Sequence, residues 1–496
     1  MKDNSQNESA PRTLISFRID QPADWLVVHF HYERAHTWRT LNLLDPAGRI
    51  RLSHLDCYNS RTVIVHRSPV YSSYLTVPGS IPAGEWKIEF ADQSDPAEEV
   101  FKFEWEAGSG DLPSGIETAA SDRQCWTGST GDQAHYGLHQ YDWQAVREEA
   151  ARWYKGDFHT HTVLSDGKMT PERNMEQAEI MGLDFFVATD HNLLSTSWPA
   201  GKVLVIPGIE FTSEYGHWNA LGLKQWIDWR YRAPDGGIGT QEGMNRVMEE
   251  ARRHGALRSI NHPMLTPWAW MYELTPLAML DALEIWNDPT YHSNPAATEK
   301  ALALWSTLWN EGYRVTGIGG SDSHMLPTES YGDNNPPSLI GDPATYVHAE
   351  RLSAAAILEG VRAGRVYVSR GPVLDLAVTV DDKAYPLGSD LTEPVQRSKE
   401  GRVHCRLTVS NASEGSLHVI ENGKEIEAYA ISDTAQTFEI AMDWKEAQYV
   451  WRRIELRSMN GELLAFTNPV SYGSKEQEIT TWKQLLDRAS FEVPVN

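Results

Sequence analysis

One run restricts the fold more than any other. Leu183-Asp184-Phe185-Phe186-Val187-Ala188 is nearly continuous in apolar residues, with a helical pattern before it and a similar run, Val203-Leu204-Val205-Ile206, after it. A strand of this kind needs cover on both faces, and strands alternating with helices provide it as a parallel sheet or barrel. Met169-Thr170-Pro171-Glu172 opens a helix with Thr170 as N-cap and Pro171 at the first helical position, and Gly182 ends it. Met244, Val247, Met248 and Ala251 mark a second helix closed by Gly255, and Ala301, Leu304, Trp305 and Leu308 a third ending at Gly312. Leu257–Asn261, Leu283–Trp286 and Arg314–Gly319 read as further strands, and Ala220-Leu221-Gly222-Leu223 as another buried parallel one. About seven strands in repeated βα units are expected over 153–372, closed by a helix near Ala354–Gly364.

The flanks change period. Trp25-Leu26-Val27-Val28-His29-Phe30, Thr62-Val63-Ile64-Val65 and Trp86-Lys87-Ile88-Glu89-Phe90 are short runs punctuated by turn signals such as Asp45-Pro46-Ala47-Gly48. That spacing predicts an all-β sandwich over 12–106, after a disordered 1–11. Gly108-Ser109-Gly110-Asp111 and Gly128-Ser129-Thr130-Gly131 mark 107–152 as a linker. Leu374–Val380, Val403–Val409, Leu417–Ile420 and Arg453–Leu456 predict a second sandwich over 373–473. Trp482, Leu485 and Leu486 predict a short amphipathic helix within the tail 474–496. The fold class expected is thus α/β: a distorted seven-stranded barrel flanked by two all-β sandwiches.

Composition narrows the function. A formal charge of −24 argues against a nucleic-acid footprint. No run approaches the roughly 20 apolar residues a membrane helix needs. Cys57, Cys125 and Cys405 are far apart and odd in number, which points to reduced thiols and a cytoplasmic setting, and the polar start Met1–Glu8 predicts no signal peptide. A small molecule is the expected partner; the oligomeric state is not legible.

Metal-capable residues sit where the strands end. Gly156-Asp157-Phe158-His159-Thr160-His161 sends two imidazoles off one face of a strand, and Asp166 follows in a Ser-Asp-Gly turn. Thr189-Asp190-His191 ends the Leu183–Ala188 strand, Glu210 follows Val203–Ile206, and His217 precedes Trp218-Asn219-Ala220-Leu221. His262 ends Leu257–Asn261, and Asp322 and His324 follow Arg314–Gly319. Strand C-termini of parallel βα folds converge on one mouth, so six histidines and three carboxylates are aimed at one place. Imidazole and carboxylate are ligands for Zn, Mn or Fe.

These motifs, with Asn261-His262-Pro263 and Gly320-Ser321-Asp322-Ser323-His324, resemble the PHP (polymerase and histidinol phosphatase) superfamily of metal-dependent hydrolases. Gly216-His217-Trp218-Asn219, Glu284-Ile285-Trp286-Asn287, the approach to Pro343–Val347 and the leading β-domain resemble its CehA/McbA branch, whose namesake hydrolyses the carbamate ester carbaryl. The likeness covers about 153–372. It implies two to three divalent ions. His159, His161, Glu210 and Asp322 would hold one; Glu210, His217 and His262 a second, with Glu210 bridging; Asp166, His191 and His324 a third. Asp157 and Asp190 would orient imidazole N–H groups. The implied chemistry is hydrolysis by a metal-bound hydroxide, with Glu210, His262 and Asp322 as catalytic groups and a small phosphoester as first substrate class.

Competing readings stay open. The runner-up is an aryl ester or carbamate hydrolase, and the third a non-catalytic binding protein with a vestigial site. Asp166 is also a good turn former. Trp218, Trp268, Trp270 and Trp286 are candidates for a substrate wall or for plain core, and Arg258, Arg314 and Arg370 for phosphate binding or surface ion pairs. Pro263–Pro267 is expected to be an active-site loop. His29, His31, His36, His54, His254, His348, His404 and His418 read as ordinary histidines.

Overall fold

A computed structural model describes residues 14–32, 39–91, 101–116, 122–128, 136–333, 335–412 and 414–492. The expected disordered start, His36, Ser129-Thr130-Gly131 and residues 493–496 lie outside them. The N-terminal part forms two antiparallel sheets. One orders Leu14–Ile19, Gly84–Phe90, Arg39–Leu44 and Ile50–Asp56; the other Thr62–His66, Trp25–Tyr32 and Phe101–Gly108. Leu26, Val28, Leu41, Leu52 and Trp86 are buried in one cluster, the outcome expected where one face of each sheet is apolar.

Seven central strands follow one another in the sheet in chain order: β1 (Arg152–Asp157), β2 (Phe185–Ala188), β3 (Leu204–Ser213), β4 (Gly216–Leu221), β5 (Leu257–Ile260), β6 (Ala282–Asn287) and β7 (Thr316–Gly320). Strands β1, β2 and β3 are parallel, as are β5, β6 and β7. The expectation of a buried parallel strand through Ala220–Leu223 is corrected, because β4 is antiparallel to both β3 and β5. Only Glu214-Tyr215 separate Ser213 from Gly216, and a connection that short can join antiparallel strands only.

The two ends of this series approach each other past the strand termini. Thr160 and Ser323 form a parallel bridge, and the Asp322 amide donates to the His159 carbonyl at 2.8 Å. Gly320 permits the approach, since a Cβ there would lie 2.4 Å from the His159 Cβ. Along its other edge β1 pairs with the antiparallel Ala344–Ala349. That strand continues through Val366–Ser369 into Leu463–Thr467, so the hydrogen-bonded sheet runs on into the C-terminal strands. A separate four-stranded sheet packs against these strands around Leu374, Leu407, Leu417 and Leu456.

Helices are few and carry the expected stop signals. Helix α1 (Pro171–Ile180) begins at Thr170, whose side chain accepts from the Arg173 amide; α2 (Gln241–Arg253) is capped likewise by Thr240. Gly182, Gly255 and Gly312 follow α1, α2 and α3 (Asn294–Asn310) with positive φ, the left-handed exit that glycine makes without strain. Helix α4 is Ala354–Arg362, and Trp482–Arg488 buries Trp482, Leu485 and Leu486. The whole is mixed α/β and mostly strand.

Candidate metal centre

The nine expected side chains come together at the C-terminal ends of β1, β2, β3, β5 and β7 and the start of β4. Glu210, fully buried, faces imidazole nitrogens on both oxygens. Its Oε1 lies 3.2 Å from His159 Nε2, 3.3 Å from His217 Nδ1 and 3.6 Å from His262 Nε2. Its Oε2 lies 2.7 Å from His191 Nδ1 and 3.4 Å from His161 Nε2. Asp322 Oδ1 is 3.2 Å from His159 Nε2 and 3.0 Å from His161 Nε2. Asp166 Oδ1 is 3.2 Å from His324 Nε2 and 3.4 Å from His191 Nε2.

Four overlapping ligand sets have atoms within 4.8 Å of one another: His161–Asp166–His191–His324, His159–His161–Asp322, His159–Glu210–His262 and His191–Glu210–His217. The grouping differs from the one the resemblance implies. His161 also joins the Asp166 set, and His191 also joins Glu210 and His217. His262 and Asp322 hold positive φ, 29° and 49°, a backbone region that costs about 1–3 kcal/mol for a non-glycine residue and clusters at functional sites.

The residues fit a metal. His159 Nε2, both ring nitrogens of His161, Asp166 Oδ1, Glu210 Oε2, His217 Nδ1, His262 Nδ1 and Asp322 Oδ1 are buried without a hydrogen bond. So many buried polar atoms without a partner in one place are costly in an ordinary core, and imidazole nitrogen and carboxylate oxygen are the donors a divalent ion takes up. Burial, with His324 and His191 alongside, pushes the His161 imidazole down to about 3, and burial takes His217 down to about 4, leaving neutral rings. Burial would raise the Glu210 and Asp322 carboxyls, but His159 and its neighbours hold both well below the usual range, ionised.

Three supporting residues, Asn261, Glu284 and Asn287, stand in the sequence only as members of the resemblance motifs, with no role at the site assigned to them. Glu284 Oε1 meets His159 Nδ1 at 2.9 Å, while Oε2 accepts from the His262 amide at 2.8 Å and Asn287 Nδ2 at 3.1 Å. Asn261 Nδ2 donates to Glu210 Oε1 at 2.7 Å. An acidic residue inside an otherwise apolar strand was the available signal for Glu284. The role expected of Asp157 and Asp190 is corrected: neither orients an imidazole. Asp157 accepts from the amides of His159 and Ser321, each at 3.0 Å, and Gly341. Asp190 accepts from the Thr162 amide at 2.8 Å and Ser165 Oγ at 2.7 Å. Both tie backbone loops, because they sit on strand ends that face the loop turns rather than the rings.

A cavity of about 540 Å³ opens onto the cluster, touching Asp166, His191, His217, His262, Asp322 and His324. Of the four tryptophans considered, Trp268 alone lines it; Trp218 is stacked on Phe211, and Trp270 and Trp286 are buried elsewhere. Leu265 of the Pro263–Pro267 loop is on the wall. Arg258, Arg314 and Arg370 are paired with Asp281, Asp390 and Asp342 at 2.8, 3.0 and 2.9 Å. None of them lines the cavity, so the phosphate-binding reading of these arginines is set aside.

No protein-family model matches the chain, and no curated protein does. Among solved structures it is similar to a two-domain protein of Bacteroides vulgatus containing a predicted PHP-like metal-dependent phosphoesterase. That match is 17% identical over 66% of this chain and 98% of the other, with a TM-score of 0.35. A second similar structure, from Bifidobacterium adolescentis, belongs to a protein inferred to be a metal-dependent phosphoesterase. It is 18% identical over 37% of this chain and 92% of the other, with a TM-score of 0.21. Likeness at these scores does not bear on what this chain does.

Proposed function

We propose that the chain is a metal-dependent hydrolase acting on a small phosphoester, with its seven central strands forming a distorted barrel of the PHP type between the two β-domains. The observation that carries the reading is the cluster of buried, unbonded imidazole nitrogens and carboxylate oxygens, of which Asp166, His217, His262 and Asp322 also line one cavity. Two to three divalent ions would be held by His159, His161, Asp166, His191, Glu210, His217, His262, Asp322 and His324. Such ions supply Lewis acidity, acidifying water and neutralising the oxygens of an in-line displacement. Three ions against three carboxylates leave a positive centre, which suits an anionic phosphoryl group. Glu210 holds its charge between two ligand sets and keeps them together. His262 and Asp322 belong to the cluster and also border the cavity, so they are the groups placed to hold a proton for the leaving oxygen.

A second reading, hydrolysis of an aryl ester or carbamate, is favoured by one feature. Among the described residues no lysine or arginine lines the cavity, whereas Trp268, Tyr291 and Tyr331 do. The test is a panel of aryl phosphates, phosphodiesters, acetates and carbamates with Mn, Zn or Fe, alongside elemental analysis. Two to three ions per chain, phosphoester turnover lost on chelation, and competitive inhibition by inorganic phosphate are expected. Good turnover of carbamates, failure on every phosphoester and indifference to millimolar phosphate would reverse the choice.

A further inference from the structure

The outer wall of the cavity has a chemistry the metal cluster does not explain. Trp268 and Tyr291 meet at 6.0 Å between ring centroids with planes at 60°, and Tyr291 and Tyr331 at 5.1 Å and 70°. The rings are edge to face, so faces of several orientations border one space. Trp268 is 40% exposed and Tyr331 36%, a large apolar area left open beside a polar floor, as at a ligand-binding wall. Glu214 and Asp288 line the same cavity outside the nine-residue cluster, and the Tyr331 hydroxyl donates to Asp288. Asp288 is buried and accepts from the Thr290 amide at 3.0 Å, the Thr290 hydroxyl at 2.5 Å and Ser338 Oγ at 2.9 Å, and burial raises its carboxyl above the ordinary value.

Three kinds of group can be weighed against this wall. A second anion would meet two carboxylates and, among the described residues, no lysine or arginine. A neutral aromatic ring would find faces to stack on and gain nothing from the carboxylates. A cation gains from both, because the faces of Trp and Tyr carry negative potential. We infer that the aromatic wall of Trp268, Tyr291 and Tyr331, with Asp288 beside Tyr331 and Glu214 lining the same cavity, binds an alkylammonium group, so that the substrate is the phosphoester of an amino alcohol or its quaternary analogue. The class of reaction rests on the phosphoesterase reading; the binding of the cationic head does not. Hydrolysis breaks the P–O bond to the amino alcohol and forms one to the water oxygen. The alcohol oxygen takes the proton, and no oxidant or other co-reactant is required.

Calorimetric titration of the metal-loaded full chain with choline and with its uncharged isostere 3,3-dimethylbutan-1-ol tests this directly. Choline is expected to bind at least tenfold tighter. Trp268→Leu and Tyr331→Leu should each erase that preference, while Tyr331→Phe, which keeps the ring, should retain it; thermal melts confirm that each variant folds. Equal binding of the two probes, or binding of neither at millimolar concentration, overturns the inference. Hydrolysis of p-nitrophenyl phosphate is followed in parallel. Turnover without a choline preference removes the cationic subsite alone, and choline binding without phosphoester turnover removes the reaction reading alone.

Discussion

Glu284→Gln isolates the support beneath the metal centre. The residue is 2% exposed and takes three donors: the His159 ring, the His262 amide and Asn287 Nδ2. Glutamine has nearly the same shape but one acceptor oxygen, and its NH₂ must confront at least one of those donors. A buried donor left unpaired costs about 1–3 kcal/mol. The carboxylate also fixes a proton of His159 on Nδ1, which leaves Nε2 for the ion that Glu210 and Asp322 would share with it. Both effects fall on the ligand geometry of His159 and His262, so metal affinity should drop about ten- to a hundredfold. Competition with a chromogenic chelator measures it, with far-ultraviolet circular dichroism and thermal melts as folding controls. Glu249→Gln, whose ion-pair partners are Arg252, Arg253 and the buried Arg258 and none of the nine ligand-type residues, is the matched control. Affinity within twofold of the parent in a folded Glu284→Gln protein would refute the assignment.

Three further changes probe other parts of the chain. Asn59 Nδ2 donates to the Leu164 carbonyl at 3.1 Å, two residues before Asp166; Asn59→Ala should weaken one ion several-fold, from loss of about 1 kcal/mol, and unchanged metal titrations would show that the N-terminal sheets give the loop no support. Trp218→Ala empties a fully buried site and should cost about 3–5 kcal/mol, whereas Trp268→Ala on the cavity wall should raise KM with stability within about 0.5 kcal/mol; denaturant melts and kinetics that gave the opposite pattern would misplace both rings. His54 is pushed down to about 3, first by burial and then by Arg61. The unfolded chain therefore takes up a proton below its ordinary value while the native ring does not, and stability is lost as pH falls from about 6.5 toward 3, by about 1.4 kcal/mol per unit well below 6.5. In His54→Leu the slope of stability against pH should be shallower by that amount between pH 6 and 4, and equal slopes would show that His54 is not buried as described.

Some of this was open to reading in one dimension. Helix ends depend on local chemistry, so Thr170, Pro171, Gly182, Gly255 and Gly312 announced where helices begin and stop. The nine ligand-type residues were legible because each follows or precedes a strand whose apolar run marks its end, and parallel strands bring their ends to one side. Pairing was not legible to the same degree: β4 looked like its neighbours in composition, and only the two-residue connection set its direction. Side-chain aim escaped altogether. Glu284 reaches His159 across a register shift between Glu284 and Trp286 in the β6–β7 ladder, and such an irregularity re-aims a side chain without altering the residue pattern. Trp218 and Trp268 are alike in sequence, yet one is core and the other lines the cavity. Periodicity reports which face of an element is apolar; which residue meets which, over 125 positions in the case of His159 and Glu284, is decided by packing between elements distant in the chain.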